Sequence, residues 1–231
     1  MQTEDDFKNG QVLLIDKPLK WTSFQVVNKL RWSIRQAFNI KKIKVGHAGT
    51  LDPLATGLLV ICTGKMTKQI NTFQGQEKEY TGTFVLGSTT PSFDLETEVN
   101  ETFPTEHITD DLIHATTQQF IGKIDQFPPV FSAIKKDGKR LYEFARAGED
   151  VEIKSRQVEI TEFEITQISN HELHFRVVCS KGTYIRSLAH DFGKALNSGA
   201  HLSALRRTRI GDFKVEDALT PETFIENLPS K

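Results

Sequence analysis

The segment from Gly46 to Gly57 has the composition of a loop that could hold one reactive group in place. It reads GHAGTLDPLATG, with three glycines, one proline and a single carboxylate, Asp52. Pro53 fixes its own φ angle and biases Asp52 towards an extended conformation. The glycines allow tight turns and let a ligand approach the backbone closely. The pattern therefore predicts a constrained loop that presents Asp52 in one orientation. A structural turn, in which Asp52 caps local backbone, is the alternative that these residues leave open.

Two other patterns lack the spacing that their chemistry requires. Gly64-Lys65 resembles the end of a phosphate-binding loop, but six residues separate Gly57 from Gly64 and Met66 stands where Ser or Thr is needed. His171 and His174 lie three apart in a predicted strand, face opposite sides and have no third ligand nearby. We therefore expect neither a phosphate-binding loop nor a metal site.

The composition limits the classes of protein to consider. The chain has 231 residues, 38% hydrophobic and 26% charged, with 29 Lys and Arg against 30 Asp and Glu. These values suit a soluble globular protein and exclude collagen, a disulfide scaffold and a wholly disordered chain. The net charge of −1 argues against a uniformly basic histone-like binder, yet nucleic-acid binding depends on where the charges lie.

The cysteines and the apolar runs indicate a cytoplasmic protein. Cys62 and Cys179 both lie in apolar runs and lack ligand spacing, so we expect buried, reduced thiols. The polar, acidic start does not resemble a signal peptide, and the longest apolar run, Leu58–Cys62, is too short to cross a bilayer. We therefore expect no membrane association.

Hydrophobic periodicity predicts strands and helices that alternate irregularly. Leu58–Cys62 is either a helix end or a buried strand. Because strands and helices do not alternate regularly, the pattern favours an α/β (α+β) fold, with a mixed, mostly antiparallel central sheet flanked by helices and loops. The predicted strands are Val12–Ile15, Tyr80–Leu86 and Leu173–Cys179. Three helices are predicted: one capped by Ser23 that runs to about Phe38, one from Asp110 to Ile121 capped by Thr109, and one capped by Thr183.

A basic segment from Phe127 to Arg156 differs from the rest of the chain. It contains two prolines near its start and then a series of positive residues. On composition alone it is either a solvated surface loop or a binding element. Its positive residues are Lys135, Lys136, Lys139, Arg140, Arg146, Lys154 and Arg156.

Five segments, in order along the chain, resemble the motifs of the bacterial tRNA pseudouridine-55 synthases, the TruB family. The most specific is GHAGTLDPLATG at 46–57, and the five motifs together extend over about residues 11–213. One departure is Lys20-Trp21, where the family motif has Gly and a variable residue, which puts the local turn in question. The other four segments are DKPLKWTS at 16–23, KEY at 78–80, SKGTYIR at 180–186, and GAH at 199–201 with LRR at 205–207.

The resemblance implies a pseudouridine synthase fold and a reaction that needs no cofactor and no metal. Uridine would be isomerised to pseudouridine at position 55, in the T-arm loop of tRNA. By the same resemblance, Asp52 is the catalytic nucleophile or base, and Tyr80 stacks on the flipped base. An isolated carboxylate in a water-poor pocket tends to become neutral, and a bidentate guanidinium keeps it charged. The resemblance assigns that role to Arg186.

The resemblance also implies a set of substrate-binding residues. His47 would occupy the space that the flipped base vacates, Tyr184 would line the pocket, and Leu205 would form its apolar floor. The basic segment would fold over the T-loop like a thumb. Eight residues could contact phosphates or simply be solvated: Lys17, Lys20, Lys41, Lys42, Lys44, Arg206, Arg207 and Arg209. The candidates on this thumb are Lys135, Lys136, Lys139 and Arg140.

The chain stops soon after Pro229, so we expect one catalytic domain, 1–231, with a thumb at 127–156 and no C-terminal PUA domain. The expected partner is the tRNA T-arm, bound by a monomer without guide RNA. One rival is the guide-RNA-dependent branch of the superfamily, whose members carry a PUA domain. A second rival is a tRNA-folding chaperone, which would need the basic thumb and Tyr80 but not Asp52.

Overall fold

The computed structural model describes residues 3–229, except 133, 134, 137, 148 and 150–152. The helices are α1 (Glu4–Asn9), α2 (Ser23–Ala37), α3 (Ile70–Gly75), α4 (Asp110–Thr117), α5 (Leu141–Ala147), α6 (Ile185–Ala195) and α7 (Pro221–Glu226). The strands are β1 (Val12–Lys17), β2 (Val45–His47), β3 (Ala55–Thr63), β4 (Lys78–Leu86), β5 (Ser88–Thr89), β6 (Glu101–Thr102), β7 (Gly122–Gln126), β8 (Lys135–Lys136), β9 (Lys139–Arg140), β10 (Arg156–Ser169), β11 (Glu172–Cys179), β12 (Ala200–Ile210) and β13 (Phe213–Lys214).

The chain forms two compact units. The first comprises the chain up to Tyr80 and from Leu205 onward, and the second comprises Thr81–Ala204. The pairs β1–β3, β2–β3, β7–β10 and β10–β11 are antiparallel, whereas β3 and β12 run parallel. The mixed, mostly antiparallel fold with flanking helices is confirmed. That the whole chain acts as one catalytic domain stays a prediction.

Strand β3 is the central strand of the first unit. It pairs antiparallel with β1 and parallel with β12, and nearly all of it is buried. A continuous apolar run suits a strand covered on both faces, so Leu58–Cys62 is a buried strand rather than a helix end. Burial raises the pKa of the Cys62 thiol to about 11, which keeps this thiol protonated and unreactive at neutral pH.

Helix α2 covers this unit with an amphipathic face. Its residues Val27, Leu30 and Ile34 are buried in the main apolar cluster, as their helical spacing predicts. The helix begins with a capping box in which Thr22 accepts a hydrogen bond from the amide of Gln25. The cap is thus Thr22, not Ser23 as predicted, because the hydroxyl of Ser23 is bonded to Leu51 instead.

In the second unit, β10 pairs antiparallel with both β11 and β7. The sequence did not predict β10, because bulges near Ile160 and Ile165 interrupt its period of two. A helix capped by Thr183 would begin at Tyr184, but α6 begins at Ile185 and its N-cap is Tyr184. The Thr183 hydroxyl donates to the carbonyl of Ser180 at 3.0 Å, so the predicted cap is wrong.

The predicted thumb contains the β8–β9 hairpin and α5. The predicted substrate-binding side chains of Lys135, Lys136, Lys139 and Arg140 lie outside the described residues. Of the helices that the structure describes, none has both the length and the apolar composition that a bilayer crossing needs.

Candidate active site

The loop that carries Asp52 is held in place by hydrogen bonds from several sides. The hydroxyl of Ser23 accepts from the amide of Leu51 at 2.8 Å and donates to its carbonyl at 3.1 Å. The amide of Ala55 donates to the carbonyl of Asp52 at 3.0 Å, which closes a tight turn around Pro53. These bonds fix the backbone on both sides of Asp52, whose side chain is partly exposed. The constrained loop is therefore present, and Asp52 on it is partly exposed.

The turn at Lys20 keeps the geometry that a glycine would provide. Lys20 has a φ of 66°, in the left-handed region that non-glycine residues rarely occupy. Its amide donates to the carbonyl of Pro53 at 2.8 Å. The departure from the family motif therefore costs some backbone strain but leaves this contact with the Asp52 loop in place.

Lys17 lies beneath the loop rather than on the surface. Its side chain has no exposed area, and its ammonium donates to the carbonyl of Trp21 at 2.6 Å and to that of Pro18 at 2.9 Å. Burial lowers the pKa of Lys17 to about 8, and the negative charge of Asp52 partly opposes this effect. The ammonium also lies 3.5 Å from the carbonyl of Pro53 in the loop. The phosphate contact expected of Lys17 stays a prediction.

Arg207 is a second buried cation, and the sequence suggested it only as a candidate for phosphate contact. Its Nε donates to the carbonyl of Leu58 at 2.8 Å, and its Nη2 donates to the carbonyl of Gly49 at 3.1 Å. Gly49 precedes Asp52 in the chain and Leu58 follows it, so one guanidinium holds both ends of the loop. The LRR motif was the available signal, but its arginines suggested a surface facing phosphate.

Arg206, the neighbouring arginine, points to a different partner. Its guanidinium forms a bidentate ion pair with Asp16, with nitrogen–oxygen distances of 2.7 and 3.1 Å. The side chain remains 40% exposed. A phosphate contact by Arg206 stays a prediction, and it would compete with this ion pair.

His47, Leu205 and Tyr80 belong to the same unit as Asp52. His47 is the last residue of β2, and burial together with the charge of Arg207 lowers its pKa, so the imidazole is neutral at pH 7. Leu205 pairs with Ala55 in the parallel register of β12 and β3, three residues from Asp52. Tyr80 lies in β4 and is only 8% exposed. Their proposed contacts with a base stay predictions.

Arg186 lies in the first turn of α6, in the second unit, and is 3% exposed. Its Nη1 donates to the carbonyls of Phe131 and Ser92, at 2.9 and 3.3 Å. Its Nε lies 3.6 Å from a carboxylate oxygen of Asp94, which is also buried. The sequence missed Asp94 because it stands among other acidic residues in a stretch without a recognisable motif. The predicted pairing of Arg186 with Asp52 stays a prediction.

Tyr184 is fixed through its backbone by Gln126. Its amide donates to the side-chain oxygen of Gln126 at 2.7 Å, and its carbonyl accepts from the side-chain nitrogen at 3.0 Å. The guanidinium of Arg156 lies over the tyrosine ring, 4.5 Å from its centroid. This contact links the end of the predicted thumb to the residues just before α6.

Gly57, where the loop enters β3, should tolerate no side chain. It has a φ of 103°, and a Cβ there would lie 2.3 Å from the carbonyl oxygen of Arg207. We expect Gly57→Ala to lower the free energy of unfolding by about 2–4 kcal/mol, measured by urea denaturation. Gly75→Ala is the matched control, because a Cβ at this helical position meets nothing within 4 Å. Equal stability of the two variants would contradict the proposed close packing of Gly57 against β12.

Comparison with known proteins gives a consistent family assignment. Residues 35–185 match the model of the TruB family pseudouridylate synthase N-terminal domain, and residues 186–228 match that of the tRNA pseudouridylate synthase B C-terminal domain. The chain is 66% identical to tRNA pseudouridine synthase B of Flavobacterium johnsoniae, over 98% of this chain and 99% of that protein. It is 61% identical to the protein of the same name from Phocaeicola vulgatus, over 96% and 94% of the two chains.

A solved structure shares the fold. The chain superposes on a chain of a Cbf5-Nop10-Gar1 complex with a TM-score of 0.72 and 32% identity, over 96% of this chain and 55% of that one. The two family models together cover far more than half of the chain, and the relatives match it nearly end to end. The expected resemblance is confirmed: the chain belongs to the TruB family of pseudouridine synthases.

Proposed function

We propose that this protein isomerises uridine to pseudouridine at position 55, in the T-arm loop of tRNA. Relatives named tRNA pseudouridine synthase B, 55–66% identical over almost the whole chain, support a tRNA substrate. The observation that carries the proposal is the loop around Asp52. Ser23 and Arg207 hold the backbone of this loop, so a single carboxylate is presented without freedom to move away.

The proposed reaction needs a carboxylate but no electron or group donor. The bond between C1′ of the ribose and N1 of uracil breaks, the base turns over, and a bond forms between C1′ and C5. The proton that C5 loses is balanced by the proton that N1 gains, so the product is an isomer of the substrate. Asp52 acts as the nucleophile or the base in this sequence. The buried ammonium of Lys17 is the cation whose own pKa responds to the charge of Asp52, against the lowering effect of burial.

A base inside a folded loop must leave its stack before the carboxylate can reach it. In the proposed complex Tyr80 stacks on the extruded uracil, and the neutral imidazole of His47 fills the space that the base vacates. Leu205, beside Ala55 in the strand register, forms the apolar floor. Stacking on an aromatic side chain is worth about 1–3 kcal/mol per base, which helps to offset the cost of extrusion.

The decisive experiment is modification of an unmodified tRNA transcript by the purified protein, with no other RNA added. We expect one pseudouridine per transcript, at position 55, by chemical mapping at nucleotide resolution. A transcript with cytidine at this position is the control and should gain none. A requirement for an added RNA would favour a guide-dependent enzyme, and tight binding without any pseudouridine would favour a tRNA-folding chaperone.

The thumb should supply part of the affinity for tRNA. Each phosphate that a protein neutralises contributes about 0.7–0.9 to the slope of log K against log salt concentration. Changing Lys135, Lys136, Lys139 and Arg140 together to Ala should therefore flatten this slope and weaken tRNA binding. The measurement is a salt titration of tRNA binding for the wild type and the quadruple variant.

Lys65 and Lys68 are exposed lysines outside the predicted thumb, and their double Ala variant is the control for lost charge. We expect this control to keep the wild-type slope. Identical slopes for the wild type and the thumb variant would show that the thumb lysines and arginine are solvated residues without phosphate contacts.

A further inference from the structure

The outer face of α2 forms a groove with exposed aromatic walls. Trp21, just before the helix, and Trp32, near its end, line the groove together with Gln25, Asn28 and Lys29. Its volume is about 500 Å³, within the range of small-ligand pockets. Trp32 is 57% exposed, whereas Trp21 is partly buried and packs against the main apolar cluster. The open ring of Trp32 is therefore available to stack on a partner.

The polar residues of the groove carry positive charge or present hydrogen-bonding groups. The ammonium of Lys29 lies 5.9 Å from the ring centroid of Trp32, a cation–π distance. The side-chain oxygen of Asn28 accepts a hydrogen bond from the guanidinium of Arg31, which brings a second cation to the same face. The groove therefore combines aromatic rings with cations.

The charge pattern of the surrounding sequence identifies the kind of partner. Between Asp16 and Asp52 the chain has no acidic residue, although Asp and Glu total 30 over its whole length. Because this stretch has basic residues and no carboxylates, it attracts a polyanion and does not repel its phosphates. Apart from the buried Lys17, the stretch contains seven basic residues: Lys20, Lys29, Arg31, Arg35, Lys41, Lys42 and Lys44.

From these observations we propose that the α2 groove is a second RNA-binding surface, which takes an unpaired nucleotide between Trp21 and Trp32. Surfaces that bind single-stranded nucleic acid combine a positive track for the backbone with aromatic rings for the bases. Here Lys29 and Arg31 contact phosphate, and the indole rings stack on a base. An acidic peptide would use the cations but would leave Trp32 without a stacking partner, so RNA is the better match. This surface goes beyond the proposed catalytic function, because none of its residues belongs to the catalytic loop.

The sequence provides a built-in probe for this surface. The chain has two tryptophans, and both line the groove. Trp32 fluorescence reports on the groove, whereas Trp21 also lies next to residues that contact the Asp52 loop, so the signal specific to the groove is the part that Trp32→Ala removes. The test ligand is an oligoadenylate of about ten nucleotides, which contains no uracil and so cannot be a substrate for isomerisation. We expect saturable quenching that weakens as salt is added.

Two variants test the contacts. Trp32→Ala should weaken oligoadenylate binding about fivefold to a hundredfold, with Trp21 as the remaining reporter. Lys29→Ala should reduce the salt slope by about 0.7 for each lost phosphate contact. Lys68→Ala, which removes an exposed charge elsewhere in the same unit, should bind as the wild type does. Because Trp32 and Lys29 are exposed, circular dichroism should show unchanged folds.

The outcomes separate this surface from the catalytic proposal. Polyglutamate of matched charge should not quench the tryptophans, and pseudouridine formation in a short T-arm hairpin should be unchanged by Trp32→Ala. Failure of the wild type to form pseudouridine, with oligoadenylate binding intact, would contradict the catalytic proposal and support the groove. Absence of saturable quenching, equal quenching by polyglutamate, or wild-type affinity in Trp32→Ala would overturn the groove proposal.

Discussion

Replacing Asp52 with Asn is expected to reduce pseudouridine formation by many orders of magnitude while tRNA binding stays within about tenfold of the wild type. The amide nearly keeps the shape of the carboxylate, but it has no charge and is neither a base nor a nucleophile. Phosphate contacts supply most of the affinity of such a complex, and the substitution removes none of them. The backbone bonds of the loop, through Ser23, Ala55 and Arg207, do not involve the altered group.

The measurement pairs single-turnover pseudouridine formation with tRNA binding at fixed salt. Asp212→Asn is the matched control, because it makes the same change at an exposed carboxylate of the same unit. It should keep wild-type rates. Appreciable turnover by purified Asp52→Asn would contradict the proposed mechanism, and a loss of both binding and fold would mean that Asp52 is a structural cap.

Much of the framework could be predicted from the sequence because local signals and tertiary structure agree there. The apolar alternation of Leu173–Cys179 corresponds to β11, and the spacing of Val27, Leu30 and Ile34 corresponds to the buried face of α2. The predictions failed where a side chain had a better partner outside its own element. Ser23 was expected to cap α2, but its hydroxyl binds Leu51 and so helps to hold the catalytic loop.

The supporting residues of the site were harder to predict than its carboxylate. Lys17 and Arg207 both have the charge and length of surface residues, and nothing in the local sequence shows that they are buried. Arg207 is stabilised by backbone carbonyls that the fold brings from distant parts of the chain, such as that of Leu58, whereas Lys17 donates to the nearby carbonyls of Pro18 and Trp21. A cation that binds the backbone in this way costs desolvation but gains charge-assisted hydrogen bonds. Periodicity and motif spacing contain no information about such partners.

The contact of Arg186 with Asp94 is another pairing that sequence patterns do not reveal, and changing Arg186 should have a large effect on the reaction rate. Arg186→Lys is expected to lower the rate of pseudouridine formation by about a hundredfold or more, with the fold intact by circular dichroism. Lysine keeps the charge but replaces the planar fork with a single ammonium. It cannot preserve both the bonds from Nη1 to the carbonyls of Phe131 and Ser92 and the approach of Nε to Asp94. If Arg186 pairs with Asp52, as the sequence predicts, the lysine would no longer hold that pairing.

Arg176→Lys provides the matched control, since Arg176 forms a more exposed ion pair with Glu162 in the same unit. The rate of this variant should stay near that of the wild type.

Asp94→Asn distinguishes the negative charge of Asp94 from its position beside Arg186. It keeps an oxygen acceptor near Nε but removes the negative charge, so we expect a smaller loss in the same direction as for Arg186→Lys. The pH dependence of single-turnover rates gives an independent readout. If Arg186 keeps Asp52 ionised, the acidic limb of the profile should move to higher pH in Arg186→Lys, because the carboxylate would then bind its proton more readily. Near-normal kinetics and an unshifted profile would mean that Arg186 does not pair with Asp52.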